Sequence, residues 1–427
     1  MKFLNYNMHV NKIVFLGIIV WIIPVITVAQ NATNSPYTRY GYGILADKAF
    51  ISQRGMGGIG YGLRSSQLIN PMNPASFSAV DSMTFMFDLG VTGQVSWFSD
   101  AFNSEHKLNG NLEYIAFQFS LAKKMGIGVG LEPVSFVGYN YADTTRLPVE
   151  NELVQNTFSG RGGLSRVYAA LGYDFLNRFS VGVKLSYLYG DITHSNLITF
   201  NSINNYNTNW TDTIRSYGFL YDFGLQYHHP VGKFKTVTIG AVYSPKISFG
   251  TKVMTGFFRV DPSSGAIMER QNTVSRDSVF EMPETFGLGF TYNQLGKFTV
   301  GADVLYQRWS SAKYYDQTGA FNNSVKLNAG GEFIPNRTSG SLLKKIRYRA
   351  GLYYTDSYLK VNDSKYNEYG ANLGLGIPMS DRRSLLNIAF EYSLIRPESK
   401  ALIDEQYFKV SLSYTFNELW FFKQRVQ

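Results

Sequence analysis

The sequence lacks cysteine altogether, is poor in charged residues and has only one long apolar run. Without cysteine, the chain can form no disulfide framework, thiolate nucleophile, Cys-ligated metal site or Cys-linked lipid anchor. Charged residues make up 17% of the chain, below the roughly 25% of a typical soluble domain. Because a membrane helix needs about 20 consecutive apolar residues, a single such run excludes a bundle of membrane-spanning helices.

Aromatic residues and glycine are abundant instead: aromatics make up 16% of the 427 residues, and 40 residues are glycine. The mean hydropathy of −0.13 is typical of strands in which apolar and polar residues alternate, as in a membrane β-barrel. A chain of this length would ordinarily form two or three domains, yet no linker composition interrupts it. These features favour one large closed sheet over several small domains.

The first 29 residues have the pattern of a signal peptide. Lys2 and Lys12 precede the apolar run 13–28, and the small residues Thr27 and Ala29 occupy the two key positions before a cleavage point. We expect export and cleavage after Ala29, and an uncleaved N-terminal membrane anchor is the alternative. The net charge of +9 falls on scattered basic residues. That distribution suits anionic lipid headgroups and predicts no nucleic-acid partner.

From residue 84 onward, apolar and polar residues alternate with a period of two. Val181, Val183 and Leu185 share one face of a strand, for example, and Lys184 and Ser186 share the other. Such stretches exceed the usual soluble strand and reach the length of about nine to eleven residues that crosses a bilayer. The sequence predicts an all-β fold, a transmembrane antiparallel barrel of about 14 strands: 84–97, 110–123, 125–141, 163–175, 178–194, 214–229, 234–257, 274–292, 297–310, 323–334, 345–357, 369–378, 384–396 and 405–417.

The connections between these strands fall into two classes. Short turns such as 177–178 and 380–382 are predicted to face the periplasm. Longer polar stretches are predicted to be extracellular loops: 142–162, 195–213, 258–273, 311–322 and 358–368.

Residues 30–82 differ from the rest because they are rich in glycine and proline and show little alternation. Irregular backbone is tolerated at membrane depth only inside protein or in a wet cavity. We therefore expect three parts: a signal peptide (1–29), an N-terminal hatch that plugs the lumen (30–82) and the barrel (83–427).

Two motifs in this chain are similar to the FadL/TodX family of outer-membrane transporters for hydrophobic compounds. Arg54-Gly55-Met56-Gly57-Gly58 followed by Asn73-Pro74-Ala75-Ser76 resembles the family's hatch, and 283–290 with 303–309 resembles its late strand pair. The segments 35–41 and 417–423 are similar to Bacteroidetes members of the family. The tail after Phe416 departs from the usual barrel, which ends on an aromatic residue.

The resemblance implies a hatch and ligand path at Arg54, Gly55, Met56, Gly57, Gly58, Asn73, Pro74 and Ala75. It also implies a sideways exit where the third strand is kinked. Glu132 and Pro133 are the candidate for this lateral gate, because proline cannot donate to a strand ladder. An ordinary bulge or a loop start explains the same residues, and Ser244-Pro245 is a rival position for the break.

Other motifs carry no chemistry of their own. Gly55-x-Gly57-x-x-Gly60 spells a dinucleotide fingerprint but lacks the preceding strand and the following helix. The histidines have no zinc spacing, and no triad pattern indicates a catalytic site. We expect no enzyme activity, no metal and no cofactor. Charges on the polar face are predicted to form a paired network, with a polar path or headgroup site as the alternative: Asp88, Lys184, Asp222, Asp303, Arg347, Arg349 and Glu391.

The sequence therefore favours passive uptake of hydrophobic small molecules, long-chain fatty-acid-like or aromatic, across the outer membrane. Its expected partners are that ligand and the outer-membrane lipids, including lipopolysaccharide. The alternative is an accessory barrel subunit that holds protein partners in an outer-membrane assembly or export complex. The long loops and Trp420-Phe421-Phe422 would then be docking surfaces.

Overall fold

The computed structural model describes residues 33–100, 103–146, 153–200, 205–361, 364–381, 383–399 and 402–419. The predicted signal peptide and Trp420-Phe421-Phe422 lie outside the described residues. Within those ranges, every helix is too short and too polar to cross a membrane.

Strands make up nearly all of the regular structure. The short elements are β1 (Ile44–Leu45), the 3-10 helices Pro36–Arg39, Pro74–Ala79 and Trp309–Ser311, and the α-helices Ile51–Arg54 and Leu342–Lys345. The remaining strands form the wall: β2 (Thr84–Ser99), β3 (Ser104–Ala122), β4 (Met125–Arg146), β5 (Leu153–Phe175), β6 (Phe179–Phe200), β7 (Asn207–Gly232), β8 (Lys235–Ser244), β9 (Ile247–Val260), β10 (Ile267–Asp277), β11 (Phe280–Met282), β12 (Thr285–Gln294), β13 (Phe298–Gln307), β14 (Ser324–Phe333), β15 (Arg347–Asp356), β16 (Tyr366–Pro378), β17 (Leu385–Pro397) and β18 (Asp404–Leu419).

The wall is a closed antiparallel barrel of 14 strands, as predicted. β8 and β9 are two parts of one wall strand, which is broken at Pro245. β12 pairs with β8, and β11 pairs with β9. β10, β11 and β12 likewise share one position. β18 closes the ring on β2, from Asp404 opposite Ser99 to Leu419 opposite Thr84. Closure removes the exposed edges that an open sheet of this size would present.

The two faces of the wall have opposite chemistry. On β6, Val183 and Leu185 are exposed on the outer face, whereas Lys184 and Ser186 are buried on the inner face. The same alternation recurs in β7, β12, β16 and β18. An apolar outer band with a polar interior is the arrangement of barrels that face lipid.

The predicted loops 142–162, 195–213 and 258–273 were placed wrongly in part. β4 continues to Arg146, β5 begins at Leu153, β6 reaches Phe200 and β7 begins at Asn207. β9 and β10 extend into 258–273 in the same way. Most side chains in these strand ends are at least partly exposed on both faces. Their sequence therefore shows no apolar alternation, although the backbone ladder persists.

Residues 33–82 lie inside the ring of strands. Side chains of β6, β7 and β14 donate hydrogen bonds to carbonyl groups of this segment, and the Glu113 carboxylate of β3 accepts one from Arg54. Because these strands occupy separate sectors of the ring, the segment can reach all of them only from within the lumen. Its apolar residues form the interior clusters around Phe50 and Phe77 and around Met56 and Ile59.

Candidate functional site

The Gly-rich motif packs backbone to backbone against the wall. Gly57 has a φ of +71°, which favours glycine, and a Cβ on Gly351 of β15 would lie 2.3 Å from the Gly57 nitrogen. A Cβ on Gly374 of β16 would lie 2.8 Å from the Gly55 Cα. Asn328 of β14 donates a hydrogen bond to the Gly58 carbonyl at 3.0 Å. The motif's glycines therefore allow the segment to approach three neighbouring wall strands.

Arg54 and Met56 of the same motif have different roles. The Arg54 guanidinium lies 2.6 Å from the Glu113 carboxylate of β3, and both side chains are buried. Its Nε donates to the Ala49 carbonyl at 2.9 Å. Met56 is buried beside Ile59 and Leu63. Arg54 thus anchors the segment to β3, and Met56 supplies apolar packing.

The second motif starts a short helix and fastens it to the wall. The Asn73 side chain accepts from the Ala75 amide at 3.0 Å and donates to the carbonyls of Tyr61 and Leu225 at 2.8 and 3.2 Å. Pro74 stands at the first turn of the helix Pro74–Ala79, where a missing amide is tolerated. Ala75 is fully buried. These contacts hold the chain in place, and both motifs converge on one wall-bound segment.

The candidate gate residues lie at a bulge in β4. The register between β4 and β5 shifts between Pro133 and Ser135, so one extra residue, Val134, interrupts the ladder. Glu132 contacts Arg166 at 2.6 Å and Lys184 at 3.4 Å. Asp222 contacts the same two cations at 3.5 and 3.4 Å. Glu132 is therefore held in a buried four-residue ionic network, as predicted for charges on the inner face.

β3 and β4 separate just below this bulge. They pair from Ala122 opposite Met125 to Ile115 opposite Leu131, and no further among the described residues. Beyond that point β3 continues along β2 as far as Ser104, while β4 continues along β5. The wall therefore has a gap between β3 and β4 that begins at Glu132 and Pro133.

The strand β1, which the sequence pattern did not reveal, covers part of this gap. Leu45 pairs with Ser135, and Ile44 pairs with Phe136, on the β4 edge that β3 leaves. The Ala46 amide donates to the Val134 carbonyl at 2.9 Å, and the Gly138 amide donates to Thr38 Oγ1 at 3.1 Å. The N-terminal segment thus stands in for β3 over a short length.

A cavity of about 260 Å³ opens between the N-terminal segment and the gap. Its apolar lining includes Ile44, Leu45, Met72, Val134, Leu220 and Leu305, and Asn111 and Glu113 of β3 border it on the gap side. Above it, the loop ends meet in an aromatic cluster in which Trp309 stacks on Tyr358 with ring centroids 4.5 Å apart. Below it lie the residues of the hatch motifs.

Charged groups line another part of the cavity. Asp47 pairs with Lys326 at 3.0 Å, and Lys409 pairs with Glu391 at 2.8 Å. Burial raises the pKa of Asp47, but Lys326 and Arg54 outweigh it and hold that pKa at about 2. Burial lowers the pKa of Lys48 to about 8, with Arg166 and Lys184 lowering it further and Asp222 opposing them. The cavity is therefore amphipathic.

Two of the predicted inner-face charges form hydrogen bonds and no ion pair among the described residues. Asp303 accepts hydrogen bonds from the amides of Gly60 and Tyr61 at 2.6 and 2.9 Å. Asp88 accepts from the hydroxyl of Thr415 at 2.9 Å. Among the described residues, no three potential metal ligands of the His, Asp and Glu type come together.

These features define a class, a 14-stranded β-barrel with a lipid-compatible exterior, an internal N-terminal segment and a gap between its second and third wall strands. The family model described as BamG matches residues 10–427, and the chain belongs to the BamG family. No curated protein matches the chain.

Solved structures confirm the resemblance of the fold to the FadL/TodX type. A Pseudomonas aeruginosa FadL homologue is 13% identical with a TM-score of 0.60, covering 88% of this chain and 99% of its own. The Pseudomonas putida toluene transporter TodX is 14% identical with a TM-score of 0.59, covering 89% and 99%. The Ralstonia pickettii toluene transporter TbuX is 13% identical with a TM-score of 0.56, covering 86% and 98%.

Proposed function

We propose that this protein is an outer-membrane channel through which hydrophobic small molecules pass, leaving the barrel sideways between β3 and β4. The observation that carries the proposal is the gap that begins at Pro133 and borders the cavity. Aromatic side chains cover the cavity on the loop side, and the hatch motifs cover it on the turn side. A molecule in the cavity therefore has its shortest route out through the wall.

The amphipathic lining supports a ligand with an apolar body, either long-chain fatty-acid-like or aromatic. Such a molecule is driven into the cavity by the burial of its apolar surface, worth about 25 cal/mol per Å². It then leaves into the hydrocarbon of the membrane, where its apolar surface is equally satisfied. Movement down a concentration gradient needs no energy source, which makes the process passive.

In this proposal residues 30–82 are a hatch, and residues 83–427 are the barrel. The signal peptide 1–29 directs export to the outer membrane of a Gram-negative cell, where lipids and lipopolysaccharide surround the wall. The backbone contacts of Gly57 and the ion pair of Arg54 support a hatch that stays in place while a ligand passes. N-terminal sequencing of the mature protein tests the boundary, and a first residue other than Gln30 would move it.

The test is a reversible lock on the gap. The native chain has no cysteine, so Leu45→Cys with Ser135→Cys introduces a single pair at directly opposed β1 and β4 positions. Opposed strand residues have Cα atoms about 4.5–5.5 Å apart, within the range for a disulfide. Oxidation should stop the uptake of radiolabelled oleate or toluene by cells that depend on this barrel, and a reductant should restore it.

The matched control places a disulfide in the closed wall. Leu373→Cys with Phe390→Cys joins opposed, lipid-facing residues of β16 and β17. Oxidation of this pair should leave uptake unchanged. If the β1–β4 lock has no more effect than this control, the lateral route is wrong.

A second candidate function is that of an accessory subunit in an outer-membrane protein assembly. The supporting observation is the length of the strands on one side of the wall. β5 and β7 contain 23 and 26 residues, whereas about nine to eleven suffice to cross a bilayer at a tilt. At about 3.3 Å per residue, β7 alone extends for roughly 85 Å. Its upper part exposes Trp210, which packs against Phe257 of β9.

Purification from the native membrane in mild detergent separates the two functions. Stoichiometric protein partners that are lost when Trp210→Ala and Phe257→Ala are introduced would favour the accessory role. A lone barrel with unchanged uptake in that variant would favour the channel.

A further inference from the structure

The turn end of the barrel carries a ring of unpaired positive charge. Each two- or three-residue turn contains at least one basic residue: Lys123 and Lys124 between β3 and β4, Arg178 between β5 and β6, Lys233 between β7 and β8, and Lys297 between β12 and β13. All of them except the half-buried Lys124 are exposed.

The two longer turns continue the pattern. The turn 334–346, between β14 and β15, contains Arg337, Lys344 and Lys345, and the turn 379–384 contains Arg383. Asp381 is the one acidic residue in the described parts of these six turns. None of the basic residues named here has an ion-pair partner among the described residues.

The opposite end of the barrel is different. Several of its cations pair with carboxylates on neighbouring strands or loops, as in Arg215 with Asp191 at 3.1 Å and Arg308 with Glu284 at 2.8 Å. Arg259 pairs there with Glu269 at 3.0 Å. The basic residues at the turns therefore have few acidic neighbours in sequence, whereas acidic residues are frequent at the loop end.

The same turns also expose large apolar side chains. Leu176 is 75% exposed, Phe234 is 63% exposed and Leu295 is 62% exposed, each within three residues of a basic side chain. In the longest turn, Leu343 is 67% exposed directly before Lys344 and Lys345. An apolar side chain at the tip of a short turn is unfavourable in water but suits the boundary between lipid headgroups and acyl chains.

We infer that the turn end seats on a surface of anionic phospholipid, with the turn lysines and arginines on headgroup phosphates and the turn leucines and Phe234 at the acyl boundary. This inference rests on the membrane-spanning barrel of the proposed function. Short turns face the periplasm in barrels of this kind, so the lipid surface is the inner leaflet. The phospholipid then acts as an orienting partner that holds the wall at a fixed depth.

The charge arithmetic supports a lipid rather than a soluble ion. Each basic residue near an anionic membrane surface contributes about 1 kcal/mol, which is roughly a fivefold preference for that surface. Basic side chains spread around a closed ring contact many separate headgroups at once and cannot converge on one small anion. Long lysine side chains also reach headgroups while their methylene stems stay against the wall.

The experiment measures lipid selectivity of the full-length protein. The barrel is mixed with micelles that contain equal amounts of phosphatidylglycerol and phosphatidylcholine, and the retained lipids are counted by native mass spectrometry. Wild type should retain phosphatidylglycerol preferentially. A variant without four of the turn lysines should lower that preference at least fivefold, since about fivefold is the contribution of a single basic residue. Its substitutions are Lys123→Gln, Lys124→Gln, Lys233→Gln and Lys297→Gln.

The control removes as many cations from the loop end: Lys107→Gln, Arg215→Gln, Arg259→Gln and Arg396→Gln. It should leave the preference unchanged. Should the turn-end variant fail to fold, raising the salt from 0.1 to 1 M on wild type gives a second test, since a Debye length that falls from about 10 to 3 Å weakens headgroup binding.

Equal selectivity in all three proteins, or an equal loss in both variants, would overturn the proposal. So would a co-purifying acidic protein on the turn end together with no preference for phosphatidylglycerol. The proposed channel function is judged separately, because the β1–β4 lock on uptake involves none of these residues.

Discussion

Arg54 and Glu113 join the N-terminal segment to β3 just above the point where β3 leaves β4. Their guanidinium and carboxylate groups are 2.6 Å apart, and both side chains are less than a tenth exposed. Glu113 also borders the cavity. One ion pair therefore couples the N-terminal segment to the strand that forms one side of the gap.

Removing one partner of this pair should strongly destabilise the protein. Arg54→Met leaves the Glu113 carboxylate buried without its cation, which costs about 3–5 kcal/mol in comparable buried pairs. The free energy of unfolding, measured by urea titration of the barrel in detergent micelles, should fall by that amount.

Two further variants separate charge from packing at this position. Arg54→Met combined with Glu113→Leu removes both charges and should recover most of the loss, because a buried pair replaced by apolar residues is often neutral. Arg215→Gln breaks the exposed pair with Asp191 and should change the urea midpoint very little. An Arg54→Met protein as stable as wild type would show that the pair does not hold the segment.

The wall strands could be predicted from the sequence because lipid imposes a strict rule on every second residue. Val183 and Leu185 must be apolar if they face hydrocarbon, whereas Lys184 between them faces the lumen. At the loop-side ends of the strands, most side chains are at least partly exposed on both faces, so residue type does not alternate there. That is why Asn207 and Leu153 begin strands in stretches predicted to be loops.

The gap and its cover could be predicted only in part. Pro133 marked the bulge, since proline cannot donate a hydrogen bond to a strand ladder. The two-residue strand Ile44–Leu45 is too short to show any period, and its partner Ser135 is far along the chain. The contact of Glu132 with Arg166 depends on the register of β4 against β5, which residue types alone do not determine.

Gly57 and Gly351 pack so closely that one added methyl group should destabilise the protein. The Cβ of Gly351→Ala would lie 2.3 Å from the Gly57 nitrogen, with backbone on both sides. Overpacking of this kind costs about 1–3 kcal/mol, and the N-terminal segment should become sensitive to proteolysis. Urea titration and limited trypsin digestion measure the two effects.

Gly93→Ala is the matched control for this substitution, because a Cβ on Gly93 has no heavy atom within 4 Å. It should leave both stability and trypsin resistance at the wild-type level. If both glycine variants behave alike, the segment is not packed as closely as the structure shows.

Loss of one hydrogen bond between the N-terminal segment and β4 should weaken the hold of β1 on the gap. Ala46→Pro removes the amide that donates to the Val134 carbonyl at 2.9 Å. A hydrogen bond contributes about 0.5–1.5 kcal/mol net. Its loss should raise the population in which β1 has left the β4 edge roughly twofold to tenfold. Efflux of a preloaded fluorescent fatty acid from proteoliposomes should accelerate by that factor. Ala46→Ser keeps the amide and should not change the rate; equal rates for both variants would show that β1 does not limit exit.

Lys48 should make the stability of the protein depend on alkaline pH. Burial among Arg166 and Lys184 lowers its pKa to about 8, from 10.5 in its ordinary state. Between these two values the unfolded chain binds more protons than the folded one, so stability rises with pH across this window. Below pH 8 the amino group is charged in both states, and the full penalty for burying that charge remains.

Lys48→Met should therefore be more stable than wild type at pH 7, and the difference should shrink steadily toward pH 10.5. Urea midpoints of both proteins at matched pH values measure it. A difference that stays constant with pH would place the Lys48 amino group in water rather than in the cavity.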